Sequence, residues 1–391
     1  MIIMNKIDFV YEKIGNVLVN KVRKKYLENI LEIANFEKIE QPKIEKINTL
    51  AIVMPRMRFS SGGASSIYRI GSYLENKGIE VSYVIFNSND VENLYNESKK
   101  AFKNFKGKFL TIKESSQKKF DIVMATNWLS VYYARLLSGY KIYFVQDFEP
   151  YFHEIGDEYF LAMKTYTFGF HMISLGKWNK EKILENCKLN DQIDYIDFPY
   201  EPTEYTHIDR DYNSYKNKKD IKIAVYIKDS GRRIPEIIKY ILNKTKIELS
   251  SKGYNLEAYF YGCSSDEKIP FGKNLSLLTK QELNMLYQSV DFGMVASMTN
   301  ISLVPYEMIA TGLPTIDFID GSYKSFMDED TAILISLDYR DLVNKLEYYI
   351  NNPQSLQKMQ VRAFHRIEKL SWNNSCEQFW QILCKIVKHE N

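Results

Sequence analysis

From Thr49 onward the chain alternates between short apolar runs and stretches whose apolar residues recur at helical spacing. TLAIVM (49–54) reads as a buried strand, followed by a Ser/Gly-rich loop and a helix over about 64–77 that ends at Gly78. Further strands are expected at 81–86, 109–112, 121–125, 142–145 and 172–175, with helical stretches between most of them. A second alternating series predicts strands at 221–227, 256–261, 291–295, 315–318 and 332–335. Its helices fall at 235–247, 280–289, 303–310, 338–351 and 354–370, and an amphipathic helix at 372–388 follows them. Continuous apolar runs separated by helices argue for parallel sheets covered on both faces. The expected fold is α/β, with two Rossmann-like doubly wound domains in tandem and a cleft at the carboxyl ends of both sheets.

The first 47 residues stand apart. Phe9, Val10, Ile14, Val17, Leu18 and Val22 keep helical spacing beside a basic cluster at Lys21, Arg23, Lys24 and Lys25. That pattern suits a helix on an anionic membrane surface, but more often such a helix packs on its own domain. Residues 41–46, with Pro42, read as a linker, and so does the polar, Tyr- and Asn-rich stretch carrying Pro199 and Pro202. The expected organisation is a helical extension (1–47), a first domain (48–200), a linker (201–219), a second domain (220–372) and a C-terminal helix (373–391).

Composition narrows the field. Fifty-two basic against 49 acidic residues in a chain of 391 give a net charge of +3, too small to argue for nucleic acid. Cys187, Cys263, Cys376 and Cys384 are scattered with no CxxC pair, so a reducing cytoplasm is expected. No apolar run approaches the roughly 20 residues that span a bilayer, and no secretory signal pattern opens the chain. Oligomeric state is left open.

Three loops carry candidate chemistry. Gly62 and Gly63 lie between a strand and a helix, where paired glycines let backbone approach a ligand; G-x-G-x-x-G is not formed, which argues against nicotinamide binding. KDSGRRIPEI places Lys228, Arg232 and Arg233 at a helix start marked by Pro235, an anion site able to stabilise a diphosphate leaving group. VQDFEPYFHEIGDEYF crowds Asp147, Glu149, His153, Glu154 and Asp157 into one loop, with Asp147 preferred because it is closest to the strand end. The stretch SMTNISLVPYEMIATGLPTID (297–317) reads as loop, helix and strand, with unpaired amides at the helix mouth near Asn300–Ser302 and Glu307 one turn inside. Asp209-Arg210-Asp211 matches Asp-x-Asp but sits in the linker, so no metal site is expected.

Together the GG loop, VQDFEP, YIKDSGRR, TNISLVPYEMIATGLPTID and Ser371-Trp372 resemble the GT-B glycosyltransferases of retaining family 4, in particular bacterial polysaccharide rhamnosyltransferases. The resemblance covers about 49–388. It implies that the final helix crosses back onto the first domain, and that a dTDP- or UDP-linked sugar serves as donor with no further cofactor. Glu307 matches the glutamate on the nucleotide ribose; Arg233 and Lys228 match the basic pair at the diphosphate; Ile301 and Ser302 match the amides beneath it, and Gly62 and Gly63 the glycines beside it. Asp147 stands near a sugar-contacting histidine of many members. Two departures are Thr299, where the family usually carries a first glutamate, and Lys228 in place of an arginine; a 6-deoxyhexose such as rhamnose is the expected sugar. Arg233, Lys228 and Asp147 are the expected catalytic group, with Gly62, Gly63, Arg232, Thr299, Asn300, Ile301, Ser302 and Glu307 on the donor. The acceptor implied is a glycan or lipid-linked glycan at the cytoplasmic face of the inner membrane. A non-catalytic GT-B scaffold, or an epimerase or hydrolase acting on the donor alone, remains the alternative.

Overall fold

The structure, a computed structural model, describes residues 21–57, 62–101, 105–189 and 193–388. Its apolar runs are gathered into two parallel sheets. The first holds β1 (Thr49–Met54), β2 (Glu80–Ile85), β3 (Lys108–Thr111), β4 (Lys119–Ala125), β5 (Ser138–Val145), β6 (His171–Leu175) and β7 (Asp194–Ile196), in the order β3-β2-β1-β4-β5-β6-β7. The second holds β8 (Asp220–Tyr226), β9 (Asn255–Tyr261), β10 (Lys273–Asn274), β11 (Phe292–Met294), β12 (Thr315–Phe318) and β13 (Ile333–Ile335), in the order β10-β9-β8-β11-β12-β13. Each strand order reverses direction once, between β1 and β4 and between β8 and β11. In doubly wound sheets that switch point opens a crevice at the carboxyl ends of the strands.

Helices cover both sheets. They are α1 (21–33), α2 (Gly62–Asn76), α3 (Glu92–Ala101), α4 (Ile112–Ser115), α5 (Trp128–Ala134), α6 (Asp157–Thr165) and α7 (Lys177–Cys187). In the second half they are α8 (Pro235–Ser251), α9 (Lys280–Ser289), α10 (Leu303–Ala310), α11 (Tyr339–Asn351), α12 (Pro353–Ile367) and α13 (Trp372–Lys388). The predicted starts follow from local chemistry: Thr279 makes a capping box with Glu282, Asn127 caps α5, and Pro235 opens α8. Helix α13 lies against α2 and β7 of the first sheet, where Gln378 exchanges two hydrogen bonds with Asp197, of 2.8 and 2.7 Å.

The two domains share an apolar seam behind the cleft. Phe198 stacks on Tyr306 at 5.5 Å and meets Phe326 edge-on. Gly176, at φ +83°, lets the backbone pass under that Phe326 ring; a Cβ there would lie 2.3 Å from it.

Three expectations need correction. Residues 1–20 lie outside the described residues, and of the rest of the expected helical extension only 21–33 is helical. Ile30, 2% exposed, packs α1 into the first domain's core. Residues 41–46 are fastened rather than free: the Gln41 amide donates to the Lys141 and Gly169 carbonyls at 2.9 and 2.8 Å, and its oxygen accepts from Lys141 N–H. The polar stretch after Tyr200 is likewise anchored, because Tyr205, Tyr212 and Tyr215 bury their rings. Arg210 there donates to the carbonyls of Gly312 (2.7 Å), Val290 (2.6 Å) and Tyr287 (2.5 Å). Tyrosine hid this from an apolar count, since its ring buries while its hydroxyl keeps a polar score. The short strands β7 and β10 also escape the pattern, being at sheet edges with few fully buried positions.

Removing the Arg210 clamp strands three carbonyls. Arg210→Ala is expected to lower unfolding free energy by about 2–3 kcal/mol in urea titration.

Candidate active site

Four loops meet in the crevice between the domains: those after β1 and β4 in the first sheet, and those after β8 and β11 in the second. They enclose a cleft of about 330 Å³, joined by the loop after β5. Both switch points thus contribute their adjacent loops to one space.

The β8 side of the cleft is cationic. After β8 the chain makes a 3-10 turn, Gly231–Arg233, and Ile234 then adopts φ +40° before Pro235 opens α8. A β-branched residue in that left-handed region is strained by about 1–3 kcal/mol, and here the strain aims two consecutive arginines inward. Arg233, 6% exposed, donates to the carbonyls of Ala296 (2.9 Å) and Asn300 (3.3 Å). Among the described residues no carboxylate is in ion-pair contact with Arg233 or Lys228. Burial, followed by the charge of Arg232, holds both below their usual pKa. The cations repel one another and lack a full counter-charge.

Arg232 is paired across the cleft. Its guanidinium donates to the Asp147 carboxylate from the loop after β5, lies 3.4 Å from Thr299 Oγ1, and rests 4.1 Å over the Phe152 ring. Asp147, 6% exposed, also accepts from the Thr299 hydroxyl and the Asn300 amide, each at 3.0 Å. Asn300 returns the crossing: its side-chain amide donates to the carbonyls of Gln146 (2.7 Å) and Leu175 (2.9 Å).

The mouth of α10 opens into the same space. Ser302 stands at its N-cap in extended conformation with no capping bond from its side chain. The Ser302 hydroxyl and the Asn300 side-chain oxygen are buried with no partner among the described residues. Beneath them Asp317 accepts from Ser297 N–H (2.9 Å), Ser297 O–H (2.6 Å) and Phe318 N–H (2.8 Å), shaping the loop. On the opposite wall Gly62 and Gly63 begin α2. A Cβ on Gly62 would project into open space, and one on Gly63 would touch Gln146 and Met57 at 3.4 Å. Neither glycine has a left-handed backbone, so clearance is the property each supplies.

Lys228, Arg232, Arg233, Asp147, Gly62, Gly63, Asn300, Ile301 and Ser302 all line the cleft, and Thr299 touches it through Asp147. Glu307 stands apart. It is half-buried on α10, facing the linker, where the Tyr205 hydroxyl bonds its carboxylate; burial pushes its pKa up to about 7. The five ionisable residues named in the loop after β5 do not form one cluster. Asp147 and Glu149 face the cleft, whereas Asp157 lines a separate groove against α1. Thr126, Asn127, Gln146 and Phe152 complete the cleft without having been singled out in sequence, and neither was Asp317. Asp317 left one signal, a carboxylate inside an apolar strand. Among the described residues no three His, Cys, Asp or Glu side chains gather as a metal site.

No family model matches the sequence. The O-antigen biosynthesis protein RfbC of Myxococcus xanthus is 23% identical over 287 residues, which covers 69% of this chain and 21% of that protein. The chain therefore spans about a fifth of that relative's length. Among solved structures it resembles the sucrose-phosphate synthase of Thermosynechococcus elongatus, with a TM-score of 0.67 at 12% identity over 88% of this chain and 100% of that one. Anabaena HepE in complex with UDP and glucose gives 0.63 at 10% identity, over 86% and 100%. A glycosyltransferase from Rickettsia africae gives 0.64 at 15% identity, over 88% and 99%. The architecture is the GT-B fold of glycosyltransferases, as the sequence motifs implied.

Glu149 gives the cleft a pH signature. Burial raises its pKa from 4.5 to about 8. The folded chain then keeps a proton that the unfolded chain releases above 4.5, so this group's stabilisation is full below 4.5 and lost as pH rises through about 8. Glu149→Gln is expected to flatten the fall in melting temperature across that window, read by calorimetry at stepped pH.

Proposed function

We propose that the protein is a glycosyltransferase that moves a sugar from a nucleoside diphosphate donor to a growing cell-surface glycan, with retention and without a metal. The observation that carries this reading is Arg233, buried beside Lys228 and Arg232 at the mouth of α10 with no carboxylate in contact among the described residues. An unpaired buried cation costs several kcal/mol, and a diphosphate between these side chains and the α10 amides would supply the missing charge. The fold likeness to HepE, whose solved complex holds UDP and glucose, supports a nucleotide sugar; the sequence likeness to an O-antigen biosynthesis protein supports a polysaccharide acceptor.

In the reaction proposed, the acceptor hydroxyl attacks the anomeric carbon from the face the diphosphate leaves. The C–O bond to phosphate breaks with its electron pair on the leaving oxygen, which also takes the acceptor's proton. Charge grows on the diphosphate as this happens, and Arg233, Lys228 and the amides of Ile301 and Ser302 are placed to stabilise it, the task a divalent ion performs in other transferases. Glu307, outside the cleft lining and bonded by the Tyr205 hydroxyl, is assigned the ribose hydroxyls on the family resemblance, a role that requires it to exchange that bond for the ribose. The donor is dTDP- or UDP-linked, and the sugar a 6-deoxyhexose such as rhamnose. Thr299 and Asp147 are assigned to sugar choice because a glutamate at 299 would set a second carboxylate against Asp147, whereas Thr299 donates to it. A lipid-linked acceptor at a membrane surface completes the reading. Its support is a groove of about 840 Å³ beside α1 and α6, with Leu31, Phe36 and Phe160 exposed among Arg23, Lys24 and Lys164. No helix among the described residues is long and apolar enough to cross a membrane.

A thermal-shift panel of nucleoside diphosphates tests the donor site: dTDP or UDP is expected to raise the melting temperature, and no rise with any member would remove the reading. Gly62→Val, which fills open cleft space, is expected to abolish that rise while leaving the unliganded melting temperature in place. Arg233→Ala is expected to slow turnover by about 10²–10³, and a loss below about threefold would refute its role.

A further inference from the structure

The first-domain wall of the cleft holds a second carboxyl group that the donor reading does not use. Glu149 begins the 3-10 turn Glu149–Phe152, two residues past Asp147, and is 7% exposed. One of its oxygens, Oε2, takes both available donors: the Trp128 amide at the start of α5 and the Tyr143 hydroxyl at 2.8 Å. The other oxygen, Oε1, has no partner among the described residues. It is not among the fully buried unsatisfied atoms, and Glu149 lines the cleft, so Oε1 opens into that space.

Holding α5 against the turn needs only the oxygen that is already bonded. A glutamine would perform that task without the cost of burying an ionisable group, so the free oxygen is the feature that calls for a ligand. Its surroundings indicate the class. Thr126, Asn127 and Gln146 make the adjoining wall polar, and Phe152, 39% exposed, presents a ring at the mouth. A hydroxyl-bearing edge beside an aromatic face suits a pyranose. At neutral pH burial keeps a proton on Glu149, with Asp147 opposing its ionisation and Arg232 favouring it, so the free side can both donate and accept.

We propose that Glu149 is a specificity-determining residue for the acceptor, its Oε1 edge holding a hydroxyl of the acceptor sugar while the donor occupies the second domain. This rests on the glycosyltransferase reading and adds a separate site to it. Glu149 takes no part in bond making; it fixes which acceptor hydroxyl faces the anomeric carbon.

The test uses the full chain with dTDP-rhamnose or UDP-glucose as donor and octyl glycosides of rhamnose, glucose, galactose and N-acetylglucosamine as acceptor probes. Glu149→Gln keeps an oxygen for Trp128 and Tyr143 and replaces the free edge with an amide. It is expected to raise KM for the preferred octyl glycoside by about tenfold, one hydrogen bond's worth, with the nucleotide-induced thermal shift intact. An acceptor KM within about twofold of wild type, with that shift intact, would overturn the assignment, and so would a parallel loss of the thermal shift, which would mark a structural role. If the wild-type chain transfers no sugar to any probe, the glycosyltransferase reading itself falls and Glu149 loses its acceptor role with it.

Discussion

The carboxylate of Asp147 is where the two domains meet in charge. It belongs to the loop after β5 in the first domain, yet three of its donors, Arg232, Thr299 and the Asn300 amide, belong to the second. Buried and low in dielectric, this contact sets the distance between the walls, because each partner would be left desolvated and unpaired if the walls parted. It also divides the cations. Arg232 is neutralised from the opposite domain, while buried Arg233, which bonds the Asn300 carbonyl before α10, and the more exposed Lys228 are left for a ligand. The apolar seam of Phe198, Tyr306 and Phe326 supports the arrangement from behind by fixing where the domains touch.

The location of the cleft follows from topology before any side chain is considered. At the switch points β1/β4 and β8/β11 the connecting helices leave on opposite faces, so adjacent loops diverge and open a gap. Facing the two sheets brings four such loops together, and helices α2 and α10 both begin there. The site is cationic and donor-rich on the second-domain side, and carboxyl- and amide-rich on the first. That asymmetry is what the proposed transfer between a charged donor and a neutral acceptor would use.

Much of this was legible from residues alone. Strand runs such as TLAIVM and the helix over 303–310 declared themselves through period and turn chemistry, and Lys228, Arg232 and Arg233 stood out as cations before a proline-marked helix start. Other parts were not. Arg210 appeared only as the middle residue of an Asp-x-Asp match in a polar linker, and its clamp was invisible because the carbonyls it binds lie about 80 to 100 residues away in sequence. Thr299 looked like a missing carboxylate. In the fold a carboxylate does sit there, carried by Asp147 from the other domain, and no spacing rule links positions 147 and 299.

Local chemistry by itself determined the fold class, because apolar period and caps act over a few residues and point to parallel sheets wrapped by helices. It also determined the kind of groups at the loop ends. Tertiary structure alone decided which of those groups are neutralised and which are left with unmet charge or an unpaired oxygen. The standing of Arg233, Asn300, Ser302 and Glu149 comes from burial and from partners supplied, or not supplied, by distant segments. Desolvation and pairing are properties of three-dimensional neighbours, so they become readable only when the two sheets face each other.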